Sequence, residues 1–180
     1  MRSNIATAAF LLLCVLVFGF GMNACGGDAS RDRFDFAKRD FNAKICGTVS
    51  GDEVETVLQS RPSATDGEYD VSLSYNSPDS LAGLTVSRKT TGIYEARLGE
   101  LVMHDFKADG LLEPFLTLLY QGPAHSVARN KDGSITIKVN TEKYDLEYLF
   151  PQGYKYPQSI KGTVDGRKIE LFVQGIDFVS

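Results

Sequence analysis

Thiols and imidazoles are scarce in this chain, which holds three cysteines and two histidines, so the position of each decides what it can do. Cys25 closes the run Met22-Asn23-Ala24-Cys25 at the end of an apolar N-terminal segment, and Gly26-Gly27-Asp28-Ala29-Ser30 follows at once. A thiol just after an export segment can be alkylated by a diacylglyceryl group. Cleavage before it then leaves the lipidated cysteine as the new N-terminus. If that segment is cleaved off and Cys25 is lipidated, Cys14 leaves with the segment, Cys46 becomes the one free thiol, no internal disulfide forms, and the fold must stand on its core. With no histidine near it in sequence, Cys46 reads as a small, partly buried strand residue rather than a nucleophile.

The two histidines, His104 and His125, are far apart and share no metal-ligand spacing. Neither lies by a Gly-x-Ser-x-Gly turn, so Ser-His-Asp hydrolysis lacks its parts, and a hydrolase is the least favoured reading. His104-Asp105 reads as a loop pair. No Asp-x-Asp-x-Asp-Gly calcium loop occurs, nor a glycine-rich loop feeding a helix to hold phosphate, so no metal and no cofactor is expected, although carboxylates outside such a loop leave a Ca²⁺ site formally open. A carboxylate pair for glycoside hydrolysis stays open, because the spacing of acids in sequence does not test it.

The segment before Cys25 resembles a bacterial lipoprotein signal. Arg2 supplies the positive start and Ile5 to Phe20 the apolar run, with no acid or base after Arg2. The run falls short of the ~20 apolar residues that a spanning helix needs, and Gly19, Gly21 and Asn23 interrupt its end. Ala24 fits the lipobox pattern, while Met22 and Asn23 depart from its usual Leu and Ala or Ser. The resemblance implies a signal peptide over 1–24, lipidation (palmitate among the acyl chains) at Cys25, and a flexible tether over 25–33. One acyl chain holds a protein only marginally, whereas two or three anchor it stably. The alternative is an ordinary signal peptide cut near Ala24, with Cys25 an incidental thiol.

The remainder, 34–180, is one domain's worth of chain. The whole sequence carries a net charge of −4, and loss of Arg2 makes the remainder slightly more acidic. That balance argues against nucleic acid or a bare anionic surface as an electrostatic partner.

Alternating patterns dominate this domain. Phe41, Ala43, Ile45 and Val49 alternate with polar residues, and Gly51-Asp52 turns the chain into Glu53 to Leu58. Tyr69, Val71, Leu73 and Tyr75 share one face of the clearest strand, which Ser77-Pro78-Asp79-Ser80 ends. Leu84 to Arg88 and Gly92 to Leu98 form a hairpin around Thr90-Thr91-Gly92, with Leu101 to Met103 a further short strand. Later strands are Ser134 to Val139, Tyr144 to Phe150, Ser159 to Val164 and Arg167 to Val173, the last two joined by Asp165-Gly166, a strong hairpin signal. The aromatics of the loop 150–157 are placed to cover an open barrel end.

One helix interrupts the strands. Asp109-Gly110 opens it, with Asp109 as N-cap, Glu113 in the first turn and Pro114 near enough the start to be tolerated. Leu111, Leu112, Phe115, Leu118 and Leu119 make a broad apolar stripe through Tyr120, and Gly122-Pro123 closes the helix. It is expected either to fill the concave face of the sheet or to lid an apolar cavity there.

This order of elements resembles the half-barrel lipoproteins typified by outer-membrane lipoprotein localisation factors and mycobacterial lipid-binding lipoproteins. Ser77 to Val86 is similar to a Ser-Pro-Glu-x-Leu-x-Gly-Leu segment of uncharacterised clostridial-type lipoproteins, and the run from Pro157 through Phe172 to a Pro-x-x-Ile-x-Gly then Ile-x-Val ending. The resemblance implies a mainly β (α+β) fold, a curved antiparallel sheet of about eight or more strands with one helix on its concave face. It implies a non-enzymatic protein of the bacterial cell envelope, extracytoplasmic and anchored to the cell membrane. The partner would be an acyl-chain ligand or a lipidated protein. Tyr69, Val71, Leu73, Tyr75, Leu84, Val86, Leu118, Ile137 and Leu146 are the candidate lining of such a site, although the same alternation would serve a filled core. The alternative is an envelope surface module for protein–protein interaction with no ligand cavity.

Overall fold

The computed structural model describes residues 32–63, 68–105 and 109–179; Cys25, the expected signal peptide and most of the expected tether lie outside the described residues. Among the described residues eleven strands form one antiparallel sheet that curves without closing. In chain order they are β1 (Phe41–Val49), β2 (Asp52–Pro62), β3 (Tyr69–Ser77), β4 (Leu84–Arg88), β5 (Tyr94–Leu98), β6 (Leu101–His104), β7 (Ser126–Arg129), β8 (Ile135–Asn140), β9 (Tyr144–Phe150), β10 (Ser159–Val164) and β11 (Arg167–Phe178). The spatial order is β6-β5-β4-β3-β2-β1-β11-β10-β9-β8-β7, two meanders joined where β1 pairs with β11. Both edges are short four-residue strands, which limits the row of unpaired backbone groups they present.

The turns follow their sequence chemistry. Asp165-Gly166 links β10 to β11 with φ of 48° and 75°, the left-handed pair that a two-residue hairpin requires. Between β1 and β2 the turn is Ser50-Gly51, with φ of 55° and 95°, and Asp52 already begins the next strand, one residue earlier than the sequence pattern begins it. Gly47 in β1 and Gly162 in β10 have φ of 148° and 139°, and a Cβ at either would stand about 2 Å from a neighbouring strand's carbonyl oxygen. Only glycine permits such bends, and bends of this kind let a wide sheet coil.

The chain leaves the sheet at one edge, β6, and re-enters at the other, β7, so the connection has to cross the sheet. Its centre is α1 (Asp109–Leu116), followed by a 3-10 turn over Thr117–Leu119. The side chain of Asp109 is outside the described residues, so its expected capping role lies there too. Regular helix ends four residues before the expected Tyr120, where the chain tightens into the 3-10 turn, and Pro114 leaves its mark on the opposite, N-terminal end. Pro114 has no N–H to give the carbonyl of Gly110. Arg167 donates to that carbonyl instead, at 2.9 Å, and Thr117 Oγ1 donates to the carbonyl of Pro114 at 2.7 Å. A Cβ at residue 110 would lie 2.7 Å from the Arg167 guanidinium, so glycine there gives the arginine room.

A second cover is a 3-10 segment, Asp32–Lys38, that the strand patterns do not announce. Phe34 stacks edge-on against Tyr148 and Phe150, and Phe36 packs on Phe41 and Tyr156. Phe34, Phe36 and Ala37 are buried in the same apolar cluster as the inner faces of the strands and Leu112, Phe115, Leu118 and Leu119 of the crossing segment. Tyr154 and Tyr156, from the loop expected to cover a barrel end, lie against each other beside Phe36.

Candidate functional site

The nine lining candidates gather on the inner face, but mostly as packed interior. Tyr69, Val71, Leu73, Tyr75, Val86, Leu118, Ile137 and Leu146 are buried and Leu84 half-buried, all within or against the one cluster. Crossing hydrogen bonds hold the helix down on them. Tyr75 Oη donates to the Leu111 carbonyl at 2.6 Å, Tyr148 Oη donates to the Thr117 carbonyl at 2.9 Å, and Gln121 donates to the Tyr69 hydroxyl. Burial pushes the Tyr75 and Tyr148 phenols well above their ordinary range, so both remain neutral donors. An ion pair adds to this, with Lys143 Nζ 2.8 Å from Glu113 Oε2. Desolvation works against the ammonium, yet the hydrogen bond and charge of Glu113 outweigh it and raise its pKa.

Two open clefts lie at the margins of this core. The first, about 660 Å³, opens beside the start of α1. Val54, Tyr75, Leu81, Leu111 and Phe115 give it apolar walls, and Asp52, Glu53 and Arg167 supply charge. Tyr75 is the one lining candidate among its walls. Leu81 and Leu111, which sequence patterns put in a turn and a helix stripe, join it because the β3–β4 turn meets the first turn of α1. The second cleft, about 770 Å³, is bounded by the N-terminal 3-10 segment, β7, β8 and the end of β11. Both volumes fall in the ~300–1,000 Å³ range of ligand sites.

The inner face also runs out from under its cover at one flank. Leu58, Leu73, Val86, Ala96 and Met103 are consecutive cross-strand neighbours from β2 to β6, and their exposure is 0, 0, 0, 5 and 46%. The adjacent row, Leu84, Leu98 and Leu101, ends with Leu98 at 50% and Leu101 at 62%. An apolar strip on an inward-facing register therefore stands open beyond the helix.

The other reactive groups are dispersed. Cys46 is half-buried in β1 and accepts a hydrogen bond from Gln174 at 3.3 Å. His104 ends β6 rather than sitting in a loop, exposed and 3.4 Å from Glu95, whereas His125 precedes β7 at the opposite edge of the sheet. No group of three or more His, Cys, Asp or Glu able to hold a metal is found among the described residues. No described helix is long and apolar enough to cross a membrane.

No protein-family model matches the sequence, and no curated protein matches it. Solved structures do share its fold. An uncharacterized conserved protein from Thermus thermophilus superposes with a TM-score of 0.53 at 12% identity, over 83% of this chain and 85% of that one. MucB superposes with a TM-score of 0.51 at 15% identity, over 86% of this chain and 60% of that one. A domain from Vibrio parahaemolyticus described as a putative outer membrane lipoprotein-sorting protein aligns at 0.48 and 10% identity, over 88% and 94%. At these identities the first two likenesses establish a common fold, an open antiparallel sheet wrapped around a crossing helix.

Proposed function

We propose that the protein is a non-enzymatic, membrane-anchored envelope lipoprotein, attached through Cys25, that binds an acyl chain or a lipidated partner beside the start of α1. The observation that carries this reading is the 660 Å³ cleft with apolar walls from three separate elements, the β1–β2 hairpin, the β3–β4 region and the helix. Just past the β3–β4 turn lies the open apolar strip of Leu98, Leu101 and Met103, a second surface over which a long chain can extend. Each methylene buried there contributes about 0.8 kcal/mol, so roughly fifteen are needed to reach micromolar affinity once an association cost of ~4 kcal/mol is met. The complete burial of Leu73, Val86 and Leu118 supports a site here rather than beneath the helix.

Titration of the full chain with a fluorescent fatty acid tests the reading. Micromolar binding is expected, with at least ten-fold loss in Leu81→Asp, which puts a carboxylate in the cleft wall. Absence of probe binding to the wild type, or wild-type affinity in a folded Leu81→Asp, overturns it. The anchor has its own test: metabolic labelling with a palmitate analogue marks the wild type and not Cys25→Ser, and label kept by the variant refutes acylation at Cys25.

A further inference from the structure

The second cleft differs in kind from the first. Four cationic side chains, Arg33, Arg39, Arg129 and Lys155, stand in its wall with a single acid, Asp35. That ratio runs against the whole chain, whose net charge is −4. Lys38 engages Asp35 at 2.7 Å, which leaves the acid little power to neutralise the arginines. Arg39 is stacked 4.3 Å over the ring of Phe178, and Arg33 donates to the Tyr154 carbonyl at 3.5 Å. Arg129 and Lys155 are exposed and take part in no ion pair among the described residues.

Between these charges the wall is apolar, with Phe36, Val127, Ile135 and Phe178 contributing. A cationic rim beside an apolar floor matches an amphiphile with an anionic head, since the head gains charge-assisted hydrogen bonds while a chain covers the floor. The cleft also sits where residues 1–31 join the domain, because Arg33 in its wall is one residue from the first described position. If Cys25 carries the anchor, the seven residues to Asp32 reach at most ~25 Å when extended, so this face stays near the bilayer. We infer that this cleft is a binding site for the phosphate head and adjoining chain of an anionic phospholipid. The inference goes beyond the fatty-chain site at α1 and uses none of its walls.

The test is thermal unfolding of the full chain in neutral-detergent micelles, titrated with short-chain phosphatidylglycerol, short-chain phosphatidylcholine or inorganic phosphate. Phosphatidylglycerol alone should raise the midpoint in a saturable way, as a ligand of the native state does. Arg129→Gln with Lys155→Gln should weaken that effect by ~10-fold or more, and added salt should weaken it too. Both side chains are exposed, so the lipid-free midpoint should not move, and fatty-acid binding at α1 should stay at the wild-type level. Equal response to phosphatidylcholine would show the cations idle and overturn the inference. Equal response to inorganic phosphate would show a free-anion site and overturn the lipid assignment. An unweakened double variant would overturn it as well, whereas loss of fatty-acid binding in Leu81→Asp with an intact phosphatidylglycerol response would leave it standing.

Discussion

The two flanks of the sheet are built from the same alternation and meet different fates. On the β8–β11 flank, Leu171, Ile160, Tyr148 and Ile137 are cross-strand neighbours, none more than 1% exposed, beneath α1 and the 3-10 segment Asp32–Lys38. On the β4–β6 flank the equivalent rows end in Leu98, Leu101 and Met103, each about half exposed. Period-two patterning fixes which side of a strand is apolar. What lies over that side is decided by segments far away in sequence, so core and binding surface carry one and the same pattern.

Truncating the cover should have the largest effect. Phe115 is 1% exposed and meets Tyr75 edge-on at 6.0 Å between centroids. Phe115→Ala should cost ~3–5 kcal/mol in urea unfolding. A loss below ~1 kcal/mol would mean that the helix lies on the sheet without filling it, and the contrast between the flanks would collapse.

The next effect is alkaline. Tyr75 and Tyr148 are raised by burial, and Lys143 is raised by Glu113 against the opposing pull of desolvation. A group whose folded pKa lies above its unfolded value contributes stability in full below the unfolded value, near ~10–10.4 for these residues, and loses it as pH rises through the folded value. Stability should therefore be level from about pH 7 to 9 and decline above about 10. Tyr148→Phe should cost ~1 kcal/mol at neutral pH, because the Thr117 carbonyl loses the hydroxyl donor and keeps only the Tyr120 N–H, and should make the decline shallower. An unchanged alkaline slope would mean that Tyr148 is not held neutral by the covered flank.

How much of this was legible before folding varies with the distance over which each feature is encoded. Local grammar sufficed for the Asp165-Gly166 hairpin, for β3 with Tyr69, Val71, Leu73 and Tyr75 buried on one side, and for the existence of α1. β7 escaped because Ser126-Val127-Ala128-Arg129 is too short to show a period, and it forms only because β8 is there to pair with it. The Asp32–Lys38 segment escaped because its Phe34 and Phe36 gain meaning only against Tyr148, Phe150 and Phe41. Neither cleft could be read. Arg33, Arg129 and Lys155 share a wall through the curl of the sheet, and Leu81 meets Leu111 through the crossing of the helix.

Arg167 offers a smaller test of the cover. Its donation to the Gly110 carbonyl replaces what Pro114 withholds, but water can reach the exposed guanidinium and take over part of the role. Arg167→Met should cost about 1 kcal/mol, and restoring the missing N–H with Pro114→Ala in the same chain should recover some of it. If the double variant is no better than the single one, the arginine acts elsewhere.

The smallest effects belong to the open flank, and they sharpen the comparison most. Leu101 and Met103 keep about half of their surface in water in the folded chain, so folding gains little from them. Leu101→Ser with Met103→Ser should therefore change the free energy of unfolding by no more than ~0.5 kcal/mol each, the usual bound for surface substitutions. Chains that extend over the strip would feel the change, because burying a hydroxyl without a partner opposes their binding. Chain length is then the discriminating variable: short fatty acids held within the α1 cleft should bind the variant and the wild type alike, and long ones should bind the variant less well. A stability loss of several kcal/mol would instead show that these side chains are covered in solution, so that the two flanks do not differ after all.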